Sequence, residues 1–268
     1  MNKKLNDLVI LIRGAGEMAT GVAHRLSSCH FKVCMTETSN PQAVRREVAF
    51  SEAIFDSDKE VEGITAKRIE SADHISEVWR EGKVPILIDP EAKVKDFLKP
   101  DVLIDATLAK KNLGTKITDA LLVIGLGPGF HAGKDVHLVV ETNRGHNLGR
   151  VIANGEAEPN TGIPGSIAGY AEERVIRAPK AGNFKALKKI GDGVRANERV
   201  GMVGNAEVRS RIAGVIRGLL REGTEVWKDM KLGDVDPRGI KAHCYTISDK
   251  ARTISGGVLQ AMLEHFNG

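Results

Sequence analysis

Aromatic residues are scarce, at 4% of 268 residues, with two tryptophans and two tyrosines. Base stacking needs such rings, and no Lys/Arg run is interleaved with them, so no nucleic-acid surface is expected. The net charge of +4 is too small to argue otherwise. Cysteine is scarce as well. Cys29, Cys34 and Cys244 are odd in number and form no C-x-x-C. That argues against a disulfide frame or a cysteine zinc site and fits reduced thiols in a cytoplasmic protein. No apolar run approaches the ~20 residues of a membrane span, so no membrane partner is expected. The opening Met-Asn-Lys-Lys is basic, but the apolar run that follows ends at Arg13, which reads as a strand and not as a signal peptide. The rest is ordinary for a globular chain, 28% charged and 41% hydrophobic, with enough length for two domains or three small ones.

What is present is a glycine-rich turn straight after the first apolar run. Leu-Val-Ile-Leu-Ile-Arg at 8–13 leads into Gly14-Ala15-Gly16-Glu17-Met18-Ala19. Gly14 and Gly16 take the first two glycine places of G-x-G-x-x-G/A and Ala19 takes the third. Gly14 permits the tight turn, Gly16 lets an anion approach the backbone, and Ala19 lets the helix pack close. A phosphate would meet free N–H groups and the positive end of a helix dipole. The predicted cofactor contacts are therefore Gly14, Ala15, Gly16, Glu17 and Met18. Glu37 ends the next strand, where an acid can bond a ribose hydroxyl. A tight turn in a doubly wound domain with no ligand is the bland alternative. Arg45 and Arg46 either contact a second phosphate or form a solvated helix face.

Apolar strands alternate with amphipathic stretches as far as residue 107. Strands are expected at 8–12, 31–36, 64–69, 84–88 and 102–104, and helices at 18–27, 42–50, 72–81 and 92–98. This predicts an α/β fold, a Rossmann-like parallel sheet with helices on both faces. Asp105 and Thr107 fall at a strand's carboxyl end, where ligand crevices lie, with Lys110 and Lys111 close by; each can equally be a cap or a surface charge. A second glycine turn, Gly125-Leu126-Gly127-Pro128-Gly129, follows another apolar run. Gly127 and Gly129 either nest an anion or only turn the chain. Arg144 and His146 sit in the loop after the next strand and either face a ligand or brace the domain.

The C-terminal third changes character. Gly191 with Val194 and Gly201, and Gly223 with Val226 and Gly233, repeat one spacing. Two such turns resemble the barrel-sandwich hybrid of biotinyl and lipoyl carrier domains, although the hairpin at 203–207 lacks the carrier lysine. The expected organisation is a nucleotide-binding region at 1–170, a β module at 171–246 and a helix at 247–268 packing back on the body. That helix is capped by Ser248 or Asp249 and interrupted at Gly256-Gly257. Asp234 and Asp236 are too few to make a metal site.

The segments "RGAGEMATGVAHRL", "AVRREVAFSEAI", "GLGPGFHAGKDVHLVVETNRGHNLGRV", "NTGIPGSIAGY" and "KLGDVDPRG" occur in this order. Together they resemble the YqeB family of accessory proteins associated with selenium-dependent molybdenum hydroxylases. A more distant likeness, to the XdhC type of accessory protein, rests on the glycine turn. The resemblance implies a role in maturing such hydroxylases, with a molybdenum hydroxylase as partner and a nucleotide or pterin-nucleotide as ligand. NAD(P) or the molybdenum cofactor would suit the glycine turn. An NAD(P)-dependent oxidoreductase and a nucleotide-sensing docking protein are the alternatives. No catalytic residue stands out, and a homo-oligomer is left open.

Overall fold

In the computed structural model, which describes residues 4–267, the chain divides into two compact units. The first three residues of the basic opening lie outside the described ones. The first unit comprises Met1–Pro41, Ala49–Asn160 and Ile247–Gly268, and the second Gln42–Val48 and Thr161–Thr246.

The first unit is built on one nine-stranded sheet. Its strands are β1 (Val9–Arg13), β2 (Lys32–Glu37), β3 (Asp58–Val61), β4 (Ile64–Arg68), β5 (Val84–Ile88), β6 (Val102–Asp105), β7 (Leu122–Leu126), β9 (Leu138–Val140) and β10 (Val151–Ile152). A separate ribbon pairs β8 (His131–Ala132) with β11 (Gly155–Glu156). The sheet order is β10-β9-β7-β6-β1-β2-β5-β4-β3. Pairing is parallel from β4 across to β9 and antiparallel at both edges, β3 on β4 and β10 on β9.

The expected Rossmann-like parallel sheet with helices on both faces is therefore corrected to a large mixed sheet. At one edge Glu62-Gly63, both at positive φ, fold β3 back on β4 as a two-residue hairpin. At the other, the loop after β9 reverses the chain into β10.

The covering layers are unequal as well. Side chains alternate across a strand, so Leu11, Cys34, Leu103, Val123 and Val139 share one face. They pack with Ile75 and Val78 of the short α3 (Ile75–Arg80) and with Phe130, Ala132, Val136 and Ala157 around the ribbon. The other face, which carries Val140, receives α5 (Asp249–Asn267): a Cβ placed on Gly257 would lie 3.0 Å from a Val140 methyl. Helix α1 (Glu17–Ser28) packs beside α5, where a Cβ on Gly21 would fall 2.8 Å from that of Ala251. Gly256 and Gly257 do not interrupt α5. Gly257 lets the helix approach the Gly149 carbonyl, and the helix runs unbroken past it. Ser248 caps α5, its hydroxyl accepting the Ala251 N–H at 3.2 Å.

The helix expected at 42–50 does not form. Residues 42–48 join the second unit: Val44 enters its core and its carbonyl accepts the Leu219 N–H at 2.8 Å. Arg45 donates to the carbonyls of His243 and Thr246, and Arg46 to that of Leu219. After this come only 3-10 turns and the four-residue α2 (Ala53–Asp56). The helix expected at 92–98 shortens to α4 (Lys95–Leu98).

The second unit is all β. One antiparallel sheet orders β12 (Val175–Arg177), β19 (Lys231–Asp236), β17 (Gly214–Leu219) and β14 (Gly193–Val194). The other orders β16 (Ala206–Arg209), β15 (Arg199–Val203), β13 (Gly182–Ala186) and β18 (Glu225–Val226). Phe184, Val200, Val203, Ile216, Leu219 and Leu232 fill its core. The turns at Gly191 and Gly223 lead into β14 and β18, the short edge strands of the two sheets. The expected barrel-sandwich hybrid is nevertheless corrected. The unit consists of two open four-stranded sheets whose registers break at Ile176/Arg177, Arg199/Gly201 and Ile216/Gly218. Ion pairs also stand in its interior, Arg174–Asp234 at 2.8 Å and Arg217–Asp236 at 3.8 Å, and Asp236 bonds the exposed Arg238 at 2.6 Å as well. Asp234 and Asp236 thus face arginines.

Candidate functional site

The turn after β1 is held from three sides. The Gly14 N–H donates to the Thr36 carbonyl at 2.8 Å, fixing the turn to the end of β2. The Ala15 N–H donates to Glu37 Oε2 at 2.8 Å, and the Ala15 carbonyl accepts the Ser51 N–H at 2.9 Å. The Thr20 hydroxyl donates to the Ala15 carbonyl at 3.1 Å and accepts the Phe50 N–H at 2.8 Å. Gly14 has φ +96°, and a Cβ there would lie 3.1 Å from the Ala106 carbonyl carbon, so glycine is required twice over. Gly16 differs. It has ordinary φ, and an added Cβ would meet no heavy atom within 4 Å.

Gly16 is the N-cap of the twelve-residue α1 and supplies no capping side chain. The N–H groups of Gly16 and Met18 have no hydrogen-bond partner among the described residues. Donors of that kind at the positive end of a helix favour an anion. Gly16 and Glu17 are half-exposed, whereas Met18 and Ala19 are buried against the sheet. Glu37 does lie beside the turn, but one of its oxygens accepts from Ala15 and the other from the Thr38 N–H.

Asp105 is fully buried. Its Oδ1 accepts from the Thr107 N–H and hydroxyl at 3.1 and 2.7 Å, and its Oδ2 from the Thr115 hydroxyl at 2.6 Å. The Arg13 guanidinium lies 3.4 Å from the same Oδ2 and reaches the carbonyls of Pro90 and Leu113. Asp105, Thr107 and Arg13 therefore pin the loop after β6. Gly127 and Gly129 are equally closed. A Cβ on Gly127 would strike the Thr142 hydroxyl, and one on Gly129 would lie 2.6 Å from the Lys111 nitrogen.

Arg144 makes a bidentate pair with Asp249, at 2.7 and 3.1 Å, at the start of α5. His146 is exposed, and no described contact links it to the turn. Lys250 was not anticipated. It is half-buried in the first turn of α5, and its charge interacts with those of Arg144, Lys110, Glu17 and Glu141. Loss of water around its ammonium lowers its pKa below the ordinary lysine value, and the positive charges of Arg144 and Lys110 lower it further. Lys110 is lowered too, by desolvation. Neither lysine has a hydrogen bond or ion pair among the described residues. The carboxylates of Glu17 and Glu141 act the other way on Lys250 and raise its pKa, but less than the loss of water and the two cations lower it. Glu141 also accepts the N–H groups of Thr142, Asn143 and Glu158 at 2.7 Å each. The site thus combines an open helix start with unpartnered cations, a combination suited to phosphate.

No protein-family model matches the chain. The "Uncharacterized protein YqeB" of Escherichia coli (strain K12) is 47% identical over 255 residues, covering 95% of this chain and 47% of that protein. The chain thus spans about half the length of this curated relative. Among solved structures, the product-bound ectoine utilization protein EutE (DoeB) from Ruegeria pomeroyi has a TM-score of 0.26 at 10% identity, covering 80% of this chain and 61% of that one. An aspartoacylase family protein from Mesorhizobium loti has a TM-score of 0.26 at 10% identity, covering 79% and 58%. Likeness at that level carries no argument about fold or activity. No helix among the described residues is long and apolar enough to cross a membrane.

Proposed function

We propose that this chain, a YqeB-family protein over the 255 residues it shares with the E. coli relative, is an accessory protein that binds a nucleotide or pterin-nucleotide at the turn 14–19 and serves the maturation of selenium-dependent molybdenum hydroxylases. The observation that carries the ligand class is Gly16: a helix start with unfilled donors, in a place where a Cβ would meet nothing. The residues present fit such a group. A pterin-nucleotide carries two phosphates, and the turn and the neighbouring lysines offer donors and positive charge to both. In this reading the cofactor is cargo, and the protein binds and orients it. The maturation role rests on the family resemblance alone.

Hydride transfer has less support. It needs a proton donor or acceptor beside the nicotinamide, and the two candidates are poorly suited. Asp105 is engaged on both oxygens, and His146 has no described contact with the turn.

The test is to denature the purified chain and identify the released small molecule by mass spectrometry, alongside capture of a molybdenum hydroxylase from a cell that makes one. A nucleotide-bearing mass together with the captured enzyme supports the reading. Absence of any such mass, with no binding of CDP, CTP, NAD or NADP by the wild-type chain, overturns it.

A further inference from the structure

Helix packing sets Lys250 near Glu17, in the first turn of α1. Ala251, the next residue, faces Gly21 of α1, and Gly21 lies one turn along from Glu17. The contact of these small residues sets the start of α5 beside the start of α1. The loop after β9 joins from the other side: Arg144 grips Asp249, and a Cβ on Gly149 would lie 2.8 Å from the Thr253 carbonyl oxygen. Lys110 enters from the loop after β6, at positive φ. Arg144 is neutralised by Asp249, whereas Lys110 and Lys250 have no ion pair among the described residues. Two residues bonded to the turn carry a further feature. The hydroxyls of Thr36 and Ser51 are fully buried without a hydrogen-bond partner, and both residues bond the turn through their backbones.

Lys250 is half-buried and Lys110 exposed. An ammonium with part of its water removed and no ion pair is costly, and two like charges near one another repel. An anion between them relieves both penalties. The first turn of α1 already offers N–H donors for one phosphoryl group, so the lysines are placed for another.

We propose that Lys250 and Lys110 hold the second phosphoryl group of a diphosphate-bearing ligand whose first phosphoryl group sits on the turn 14–19, so that the crevice favours diphosphates over monophosphates. The first half of this statement's geometry rests on the nucleotide reading above; the role of the lysines does not depend on which base, if any, the ligand carries. Lysine suits the task as a mobile point charge, because it needs no fixed fork geometry.

The experiment is calorimetric titration of the full chain with inorganic pyrophosphate, inorganic phosphate, CDP and CMP, in wild type, Lys250→Gln, Lys250→Arg and Lys110→Gln. The expected result is that Lys250→Gln weakens pyrophosphate and CDP by about tenfold while CMP changes by less than about twofold. Lys250→Arg should recover most of the loss, and Lys110→Gln should show a smaller loss of the same selectivity. Should Lys250→Gln fail to fold, as judged by thermal unfolding, Lys110→Gln and the charge-preserving Lys250→Arg decide. Unchanged pyrophosphate and CDP affinity in the glutamine variants overturns the proposal and leaves the nucleotide reading standing. Lysine-dependent pyrophosphate binding without nucleotide binding supports the lysines and removes the nucleotide. A wild-type chain that binds neither pyrophosphate nor CDP overturns both.

Discussion

The two glycine-rich turns of the first unit look alike as strings of residues and differ in the space around them. Both follow an apolar strand, β1 in one case and β7 in the other. At the second turn every glycine is filled from outside: Gly125 by the Phe130 ring, Gly127 by Thr142, and Gly129 by the backbone of Lys110 and Lys111. At the first, Gly14 is equally closed, by Ala106, but Gly16 opens on empty space at a helix start. Glycine therefore serves two ends, close packing of chain on chain and access for something that is not the chain. The loop after β6 lies between the turns. Ala106 presses on Gly14 and Lys110-Lys111 on Gly129, and Asp105 fixes that loop.

The largest effect is expected where that shared loop is released. Asp105→Ala leaves the buried Arg13 without its counter-ion and frees Thr107 and Thr115; a loss of about 3–5 kcal/mol is expected from urea unfolding. A loss below about 1 kcal/mol would mean that the loop is held by other means. Gly129→Val comes next. Its positive φ and the nearby Lys111 backbone together predict a loss of about 3 kcal/mol. Gly16→Val should cost about 1 kcal/mol or less, since only an N-cap preference is at stake. Equal destabilisation by Gly16→Val and Gly129→Val would erase the contrast between the turns.

The smallest effect is a pH dependence confined to the strand that feeds the second turn. His137 accepts the Val123 N–H of β7 through Nδ1, with His265 of α5 6.3 Å away, ring centroid to ring centroid. Burial, and then the neighbouring His265, hold its pKa below the ordinary 6.5. The unfolded chain takes up the proton first. The contribution to stability is therefore intact above about pH 6.5 and declines as pH falls through the lowered folded value. Replacing His137 by Gln should flatten that part of the stability profile. An identical slope in both proteins would remove His137 as its source.

The first turn was legible because its strand, glycines and following acid are contiguous or nearly so. So were most strand positions of the first unit, where short apolar runs meet turn residues. The antiparallel edges were not. The β3 strand, Asp58–Val61, is charged on its exposed positions and lacks an apolar run, and its existence depends on the Glu62-Gly63 reversal. Residues 42–48 carry a helix-like pattern, but Val44 is apolar because it enters the core of the second unit. The polar candidates divided in the same way. Asp105 is at a strand's carboxyl end as expected, yet turns inward to bind loop hydroxyls. Lys250 gave no signal, since its meaning comes from the contact of Gly21 with Ala251, far apart in the chain.

The central claim is that the first turn is open for a phosphate-bearing ligand and the second is not. Titration calorimetry of Gly16→Val with CDP and NAD, beside the wild type and with thermal unfolding as the fold control, tests it most directly. A folded Gly16→Val protein that loses all measurable affinity for a nucleotide the wild type binds is the predicted result, because the valine side chain occupies the phosphate's place. Wild-type affinity retained in the folded variant would contradict the account.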